Sequence, residues 1–285
     1  YWREALRREP DHLLSLIAMA NNELARFHPE KAWELAQHAW RVVTVRNFHP
    51  ESGELDYLRG RILETLHRPE EALDAYLQAA WAQDARSRAM TRAAMVELRL
   101  SRWHDALAHA EEALRQHAHN ETAMLAKIVA LRHLGSPQAE TALAAAEAFD
   151  SLHVTLRALK YGAAPALYAT LQSDPCQSAL DMAQDLTDLG ETALAAEILG
   201  GLPQPCAMTA YVRGFLTGDT AVWMQAGKLP IGIAYPLRPL EYQALTAAIA
   251  ANPQDAAALN LLGCLMYHRE NYERAAARWE QAVAA

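Results

Sequence analysis

The chain has 285 residues, among them 59 Ala and 40 Leu but only 9 Val and 7 Ile. Helices favour Ala and Leu, and sheets favour β-branched residues, so a large sheet is excluded. Lys and Arg total 26 against 34 Asp and Glu, a formal charge of −8, and no apolar run reaches ~18 residues; these argue against a nucleic-acid surface and a membrane span.

Taken in order, Trp2, Ala5 and Pro10 read as the end of a helix. A helix is predicted over 13–26 and a second over 29–43, with Ala32, Ala36 and Ala39 on one face. A longer loop is expected over 44–50. Next come two units, one with Tyr57, Gly60, Leu63, Ala72, Tyr76 and Ala79, the other with Ala94, Trp103, Ala106, Ala110 and Ala113. Helices over 121–134 and 137–149 follow, with Leu134-Gly135 at the turn and Pro137 suited to a first helical turn. The stretch 151–173 reads as one or two helices broken at Gly162 and Pro165. Helices over 175–189 and 191–199 flank Gly190 as a stop. The stretch 200–239 holds six Gly and five Pro, which predicts turns and short helices such as 208–216 and 221–226. Trp223, Ile231, Ile233 and Tyr235 are expected there as buried anchors. A helix over 240–250 leads through Asn252-Pro253 to a last unit over 256–285.

The units repeat. Gly60 and Ala94 are 34 apart, as are Ala72 and Ala106, and Ala79 and Ala113. Ala32 to Ala72 is 40, so six extra residues fall in the predicted loop. In the last unit Leu262-Gly263, Tyr267, Tyr272, Ala275, Trp279 and Ala282 fall in the same order. This period and these residues resemble the tetratricopeptide repeat (TPR). The resemblance implies an all-α solenoid or superhelix of antiparallel pairs, helix A and helix B, with an irregular segment near 200–239. Small residues let the helices of a pair approach, and stacked pairs bury what one pair cannot. The domain reading is repeats over 1–150, degenerate pairs and the irregular segment over 151–239, and a final helix and repeat over 240–285.

A narrower resemblance rests on Tyr235-Pro236-Leu237-Arg238, Glu241, Asn252-Pro253, Asp255-Ala256, Leu261-Leu262-Gly263, Tyr272, Ala275 and Trp279-Glu280. These look like the TPR tail of a bacterial family with a β-rich N-terminal domain of unknown function. Tyr235 stands where that tail has Phe, and Cys264 where it has Asn. The resemblance implies a further domain, carbohydrate-related in type, against which this region packs in cis. The chain opens on Tyr1 within helical sequence, which fits a piece of something longer.

The repeat resemblance also implies a partner-binding concave face lined by helix A side chains. In this register Asn21, Tyr57, Arg61, Arg88, Arg92 and Met95 are the candidates, with Ile17, Leu125 and Val129 beside them. Arg88 and Arg92 are one turn apart on one face. They match two basic positions of the carboxylate clamp of chaperone-binding TPR proteins, and Asn21 matches an Asn. Ile17 and Leu58 occupy the other clamp places and donate nothing, so the full clamp is absent. The alternative is that these arginines pair with acids such as Glu54 or Glu97.

The remaining constellations have plainer readings. His104 with His109, and His117 with His119, lack the four ligands of structural zinc. Asp174, Asp181, Asp185 and Asp188 read as a solvated acidic face. Trp33, Trp103 and Trp279 read as packing residues, with Trp40 and Trp81 partly exposed. Cys176, Cys206 and Cys264 are odd in number and far apart, which gives no disulfide framework and fits a reduced compartment. No catalytic motif is present. The expectation is a cytoplasmic, non-catalytic scaffold without metal or cofactor. It binds a protein or peptide segment, or an N-terminal domain in cis, and no nucleic acid.

Overall fold

The computed structural model describes residues 1–46, 52–171, 174–232 and 234–285, and among these it holds 18 α-helices and no strand. The chain divides into two compact units, Tyr1–Ala142 and Leu143–Ala285.

In the first unit, α1 (Trp2–Arg8) precedes α2 (Leu13–Ala25) and α3 (Pro29–Arg46). Then come α4 (Glu54–Thr65), α5 (Pro69–Ala79), α6 (Arg86–Arg99), α7 (Trp103–Gln116) and α8 (Glu121–His133), and α9 (Gln138–Phe149) begins. The even-numbered helices are the A helices and the odd-numbered ones the B helices. Each helix packs on the next through α8, and α2 also meets α4 and α6 meets α8. The predicted loop at 44–50 starts later than expected. Helix α3 runs to Arg46, with the Thr44 hydroxyl donating back to the Trp40 carbonyl at 2.9 Å. Residues 47–50 of that predicted loop lie outside the described residues.

Alanine does the work the repeat pattern assigned to it. Ala32, Ala36 and Ala39 on α3, Ala72 and Ala79 on α5, and Ala106, Ala110 and Ala113 on α7 are all fully buried. With only a methyl group on that stripe, a B helix approaches its neighbours closely. Where helix A has glycine the approach is closer still. A Cβ placed on Gly60 would lie 2.5 Å from the ring of Tyr76. Trp33 and Trp40 on α3 form a shallow groove whose faces are already taken. The Arg59 guanidinium lies 5.9 and 4.9 Å from their ring centres, and Arg68 lies 5.4 Å from Trp33.

One turn closes every pair. After α2, α4, α6 and α8, the chain passes through a single left-handed residue: Phe27 (φ 59°), His67 (φ 56°), Ser101 (φ 59°) and Gly135 (φ 63°). Each time, two amides return to the last turn of helix A, as in His67 N–H to Glu64 O at 3.0 Å and Arg68 N–H to Leu63 O at 2.9 Å. This is the Schellman arrangement, which satisfies carbonyls a helix end leaves open.

The second unit takes the rest of α9, then α10 (Val154–Tyr161), α11 (Pro165–Tyr168), α12 (Pro175–Asp188) and α13 (Thr192–Gly200). It continues with α14 (Ala207–Thr217), α15 (Thr220–Ala226), α16 (Pro239–Ala251), α17 (Ala256–His268) and α18 (Tyr272–Ala284). The left-handed turn recurs at Gly190, Gly218 and Glu270, with φ of 86°, 67° and 57°. In the last pair a Cβ on Gly263 would lie 2.4 Å from the Trp279 indole.

Three expectations for this unit are corrected. Tyr235 is 55% exposed, not buried. Burial alternates there: Ala234 and Pro236 are buried, and Tyr235 and Leu237 are exposed. Ile233 lies outside the described residues. The acidic row on α12 is not a solvated face. Asp181 and Asp185 hold Arg238 at 3.0 and 3.1 Å, and Asp185 also accepts from the buried Thr155 hydroxyl at 2.7 Å. Asp174 caps α12 through the Gln177 amide at 3.0 Å, and Asp188 accepts from Gln184 at 3.1 Å. Finally, Cys176 and Cys206 are neighbours despite their distance in sequence. Burial, and then the hydrogen bond with Cys206, push the Cys176 thiol up to about 12. All three cysteines are free.

Candidate functional site

The A helices of the first unit carry a ladder of polar side chains, and its rungs follow the repeat. Arg88 on α6 pairs with Glu54 on α4, 34 residues away. Arg61 on α4 donates to Asn21 on α2 at 3.4 Å, 40 residues away. These separations equal the two repeat spacings, so equivalent positions of successive A helices touch. Asn120, the N-cap of α8, extends the ladder to α6 by donating to Ser87 at 3.2 Å and Thr91 at 2.8 Å.

The start of α4 is set by Asp84, which accepts from the Ser52 hydroxyl at 2.7 Å and the Gly53 amide at 3.1 Å. The Ser52 hydrogen bond, more than burial opposes it, holds the Asp84 carboxyl below its ordinary value. That anchor aligns Glu54 and Tyr57 with α6. The Arg88 guanidinium lies 4.6 Å from the centre of the Tyr57 ring while its Nη2 reaches Glu54. Both members of this pair are about two-fifths exposed.

Deeper in the same face, Glu64 gathers three donors. Arg92 reaches it at 2.7 Å, and Arg99 and the Tyr76 hydroxyl also bind it. The Glu64 side chain is 10% exposed. Burial pushes its carboxyl up, but Arg92, Arg99 and Tyr76 together outweigh this and leave it below the ordinary value. Burial, and then the Glu64 charge, hold the Tyr76 phenol well above its ordinary value.

Five of the six sequence candidates lie on this ladder. Asn21 meets Arg61, Tyr57 meets Arg88, and Arg92 is drawn to Glu64. Met95 is buried at 3% exposure. Arg88 does pair with Glu54, whereas Arg92 pairs with Glu64 in place of Glu97. Glu97 instead takes His109 of α7 at 2.7 Å. That hydrogen bond, against the opposing effect of burial, raises the imidazole above its ordinary value. Sequence reading missed Glu64 and Arg99. Arg88, Arg92 and Arg99 fall at steps of 4 and 7, which return to one helical face, and this was the available signal. Among the described residues no three His, Cys, Asp or Glu side chains stand together as a metal site, and no helix is long and apolar enough to cross a membrane.

Comparison with solved structures returns several matches of low identity. The chain is 13% identical to a chain in the structure of Naa15/Naa10 bound to HypK-THB, covering 99% of this chain and 60% of that one, with a TM-score of 0.39. It is 15% identical to the human IFIT1 dimer with m7Gppp-AAAA, covering 99% and 66%, with a TM-score of 0.41. A monomeric IFIT1 mutant with Gppp-AAAA gives the same identity and coverage and a TM-score of 0.42. The chain thus spans about 60 to 66% of the length of these proteins. No curated protein matches the sequence. A tetratricopeptide repeat model matches residues 32–87, 91–152 and 243–285, more than half of the chain. The match is to the repeat itself, the coarser of the two resemblances, and on it the chain belongs to the tetratricopeptide repeat family.

Proposed function

We propose that the first unit is a non-catalytic scaffold that binds an acidic protein or peptide segment along its A-helix face. The observation that carries this reading is the half-exposed Arg88 lying over Tyr57, with an exposed Arg61 one turn along α4 that, among the described residues, is held by one long hydrogen bond. A partner carboxylate can take over from Glu54 or Asn21, and the Tyr57 ring offers apolar surface beside both cations. Asn21, Tyr57, Arg61 and Arg88 are the contact residues. Arg92 and Met95 support the face from beneath.

The test is fluorescence polarisation of the full chain against a panel of acidic peptides, with Arg61→Ala and Arg88→Ala combined. These two side chains are accessible, so the variant keeps its fold. Affinity for the best peptide should drop roughly tenfold or more; unchanged affinity rejects the site. A second reading has this region packing in cis against a further domain of a longer protein. It is favoured by the exposed Tyr235 and Leu237, which fall in the segment that resembles the bacterial family tail.

A further inference from the structure

The segment that interrupts the repeat pattern builds a cavity in the second unit. An open pocket of about 320 Å³ lies between the end of α13, the loop after it, α14 and α15. Leu199, Pro205, Ala210, Val222 and Leu229 make its wall apolar, and Arg213 is its one charged residue among those described. In the regular pairs the B-helix aromatic fills the space against helix A. Trp223 of the short α15 does the same against Gly214 of α14, where a Cβ would lie 2.5 Å from the indole. Its Nε1 donates to the Tyr211 carbonyl at 3.1 Å. The indole is fixed on α14, and the pocket beside it is left open.

Arg213 is placed but not paired. A Cβ on Gly200 would lie 3.0 Å from its guanidinium, so the group rests over the C-terminal end of α13. That end carries partial negative charge and favours a cation. No hydrogen bond or ion pair engages this guanidinium among the described residues, and the residue is exposed. Its donors are therefore available at the edge of an apolar pocket.

We propose that this pocket binds a small aliphatic monocarboxylate, with the alkyl chain against the apolar wall and the carboxylate on Arg213. Ligand pockets commonly pair apolar walls with a few polar groups that fix orientation. A guanidinium fork matches a carboxylate with two parallel hydrogen bonds. One cation balances one negative charge; a phosphate dianion would bring a second, uncompensated charge against apolar wall. A volume of about 320 Å³ lies at the small end of ligand pockets, which suits a small acid such as octanoate.

The experiment is calorimetric titration of the full chain with octanoate and with 1-octanol, which has the same chain length and no charge. Saturable binding of one octanoate per chain is expected. Arg213→Gln should weaken octanoate roughly tenfold or more and leave 1-octanol unchanged. Ala221→Phe, on an exposed position of the pocket wall, should abolish both. The proposal is overturned if octanoate does not bind, if R213Q binds it as well as the parent, or if A221F leaves binding intact. Tighter binding of a leucine-ended peptide than of octanoate would also overturn it, in favour of a peptide terminus.

Discussion

Removing the charge of Glu64 takes away the carboxylate that Arg92 and Arg99 of α6 share. Both guanidinium groups are about a quarter exposed, so water screens them only in part. Breaking such a cluster from one side costs more than the cluster itself contributes. Glu64→Gln should therefore destabilise the protein by about 3 kcal/mol, seen as a lower urea midpoint. A loss under about 1 kcal/mol would mean that Arg92 and Arg99 find other anchors. The pair Arg88–Glu54 was legible in the sequence because its members occupy one repeat position 34 residues apart. Glu64 was not, because it stands 28 and 35 residues from its two arginines. Its third partner, Tyr76, reads as a packing residue; its hydroxyl gives no sign of the bond it makes.

At the scale of the helix pair, closeness is set by glycine in helix A and an aromatic ring in helix B. Tyr76 follows Gly60 by 16 positions, and Trp279 follows Gly263 by 16. A methyl group at Gly60 meets ring carbons on a fully buried tyrosine that has nowhere to turn. Alanine gains about 1 kcal/mol in helix propensity. Overpacking of this kind costs about 1 to 3 kcal/mol, and the loss of the Tyr76–Glu64 bond adds to it. Gly60→Ala should thus lower the thermal midpoint, while a rise would show that the two helices separate freely. This packing was readable from the residues. The turns were not: Phe27, His67, Ser101 and Glu270 all adopt positive φ, and of these only histidine is a residue type enriched there.

For the whole molecule, the two units should answer pH differently. In the first, Glu64 lies below its ordinary value of 4.5, so its stabilisation is complete above pH 4.5 and is lost as pH falls through its lowered pKa. His109 lies above 6.5, so its stabilisation is complete below 6.5 and is lost as pH rises through its raised pKa. In the second unit, burial raises Glu241, despite the amides of Arg238 and Leu237 that favour its charged form. Its contribution is complete below pH 4.5 and is lost as pH rises through its raised pKa. Hydrogen exchange at about pH 3.5 and about pH 5.5, corrected for intrinsic rates, should show protection falling in Tyr1–Ala142 on acidification relative to Leu143–Ala285. An equal fall in both would refute these assignments. At this scale the repeat and the all-helical fold were legible from a 34-residue period of small residues. The interior of 200–239 was not, because proline and glycine mark where helices stop but not which side chains the intervening chain turns inward.

The left-handed turn has a consequence for how such a chain can drift. The family model is silent between residues 152 and 243, yet Gly190 and Gly218 close helix pairs inside that gap with the same two amide bonds as Gly135 and Glu270 outside it. The pairs closed this way share one left-handed turn residue, a place that glycine, serine, histidine, phenylalanine and glutamate all take here. Side chains at the turn can therefore differ from pair to pair while the helices still fold back on one another.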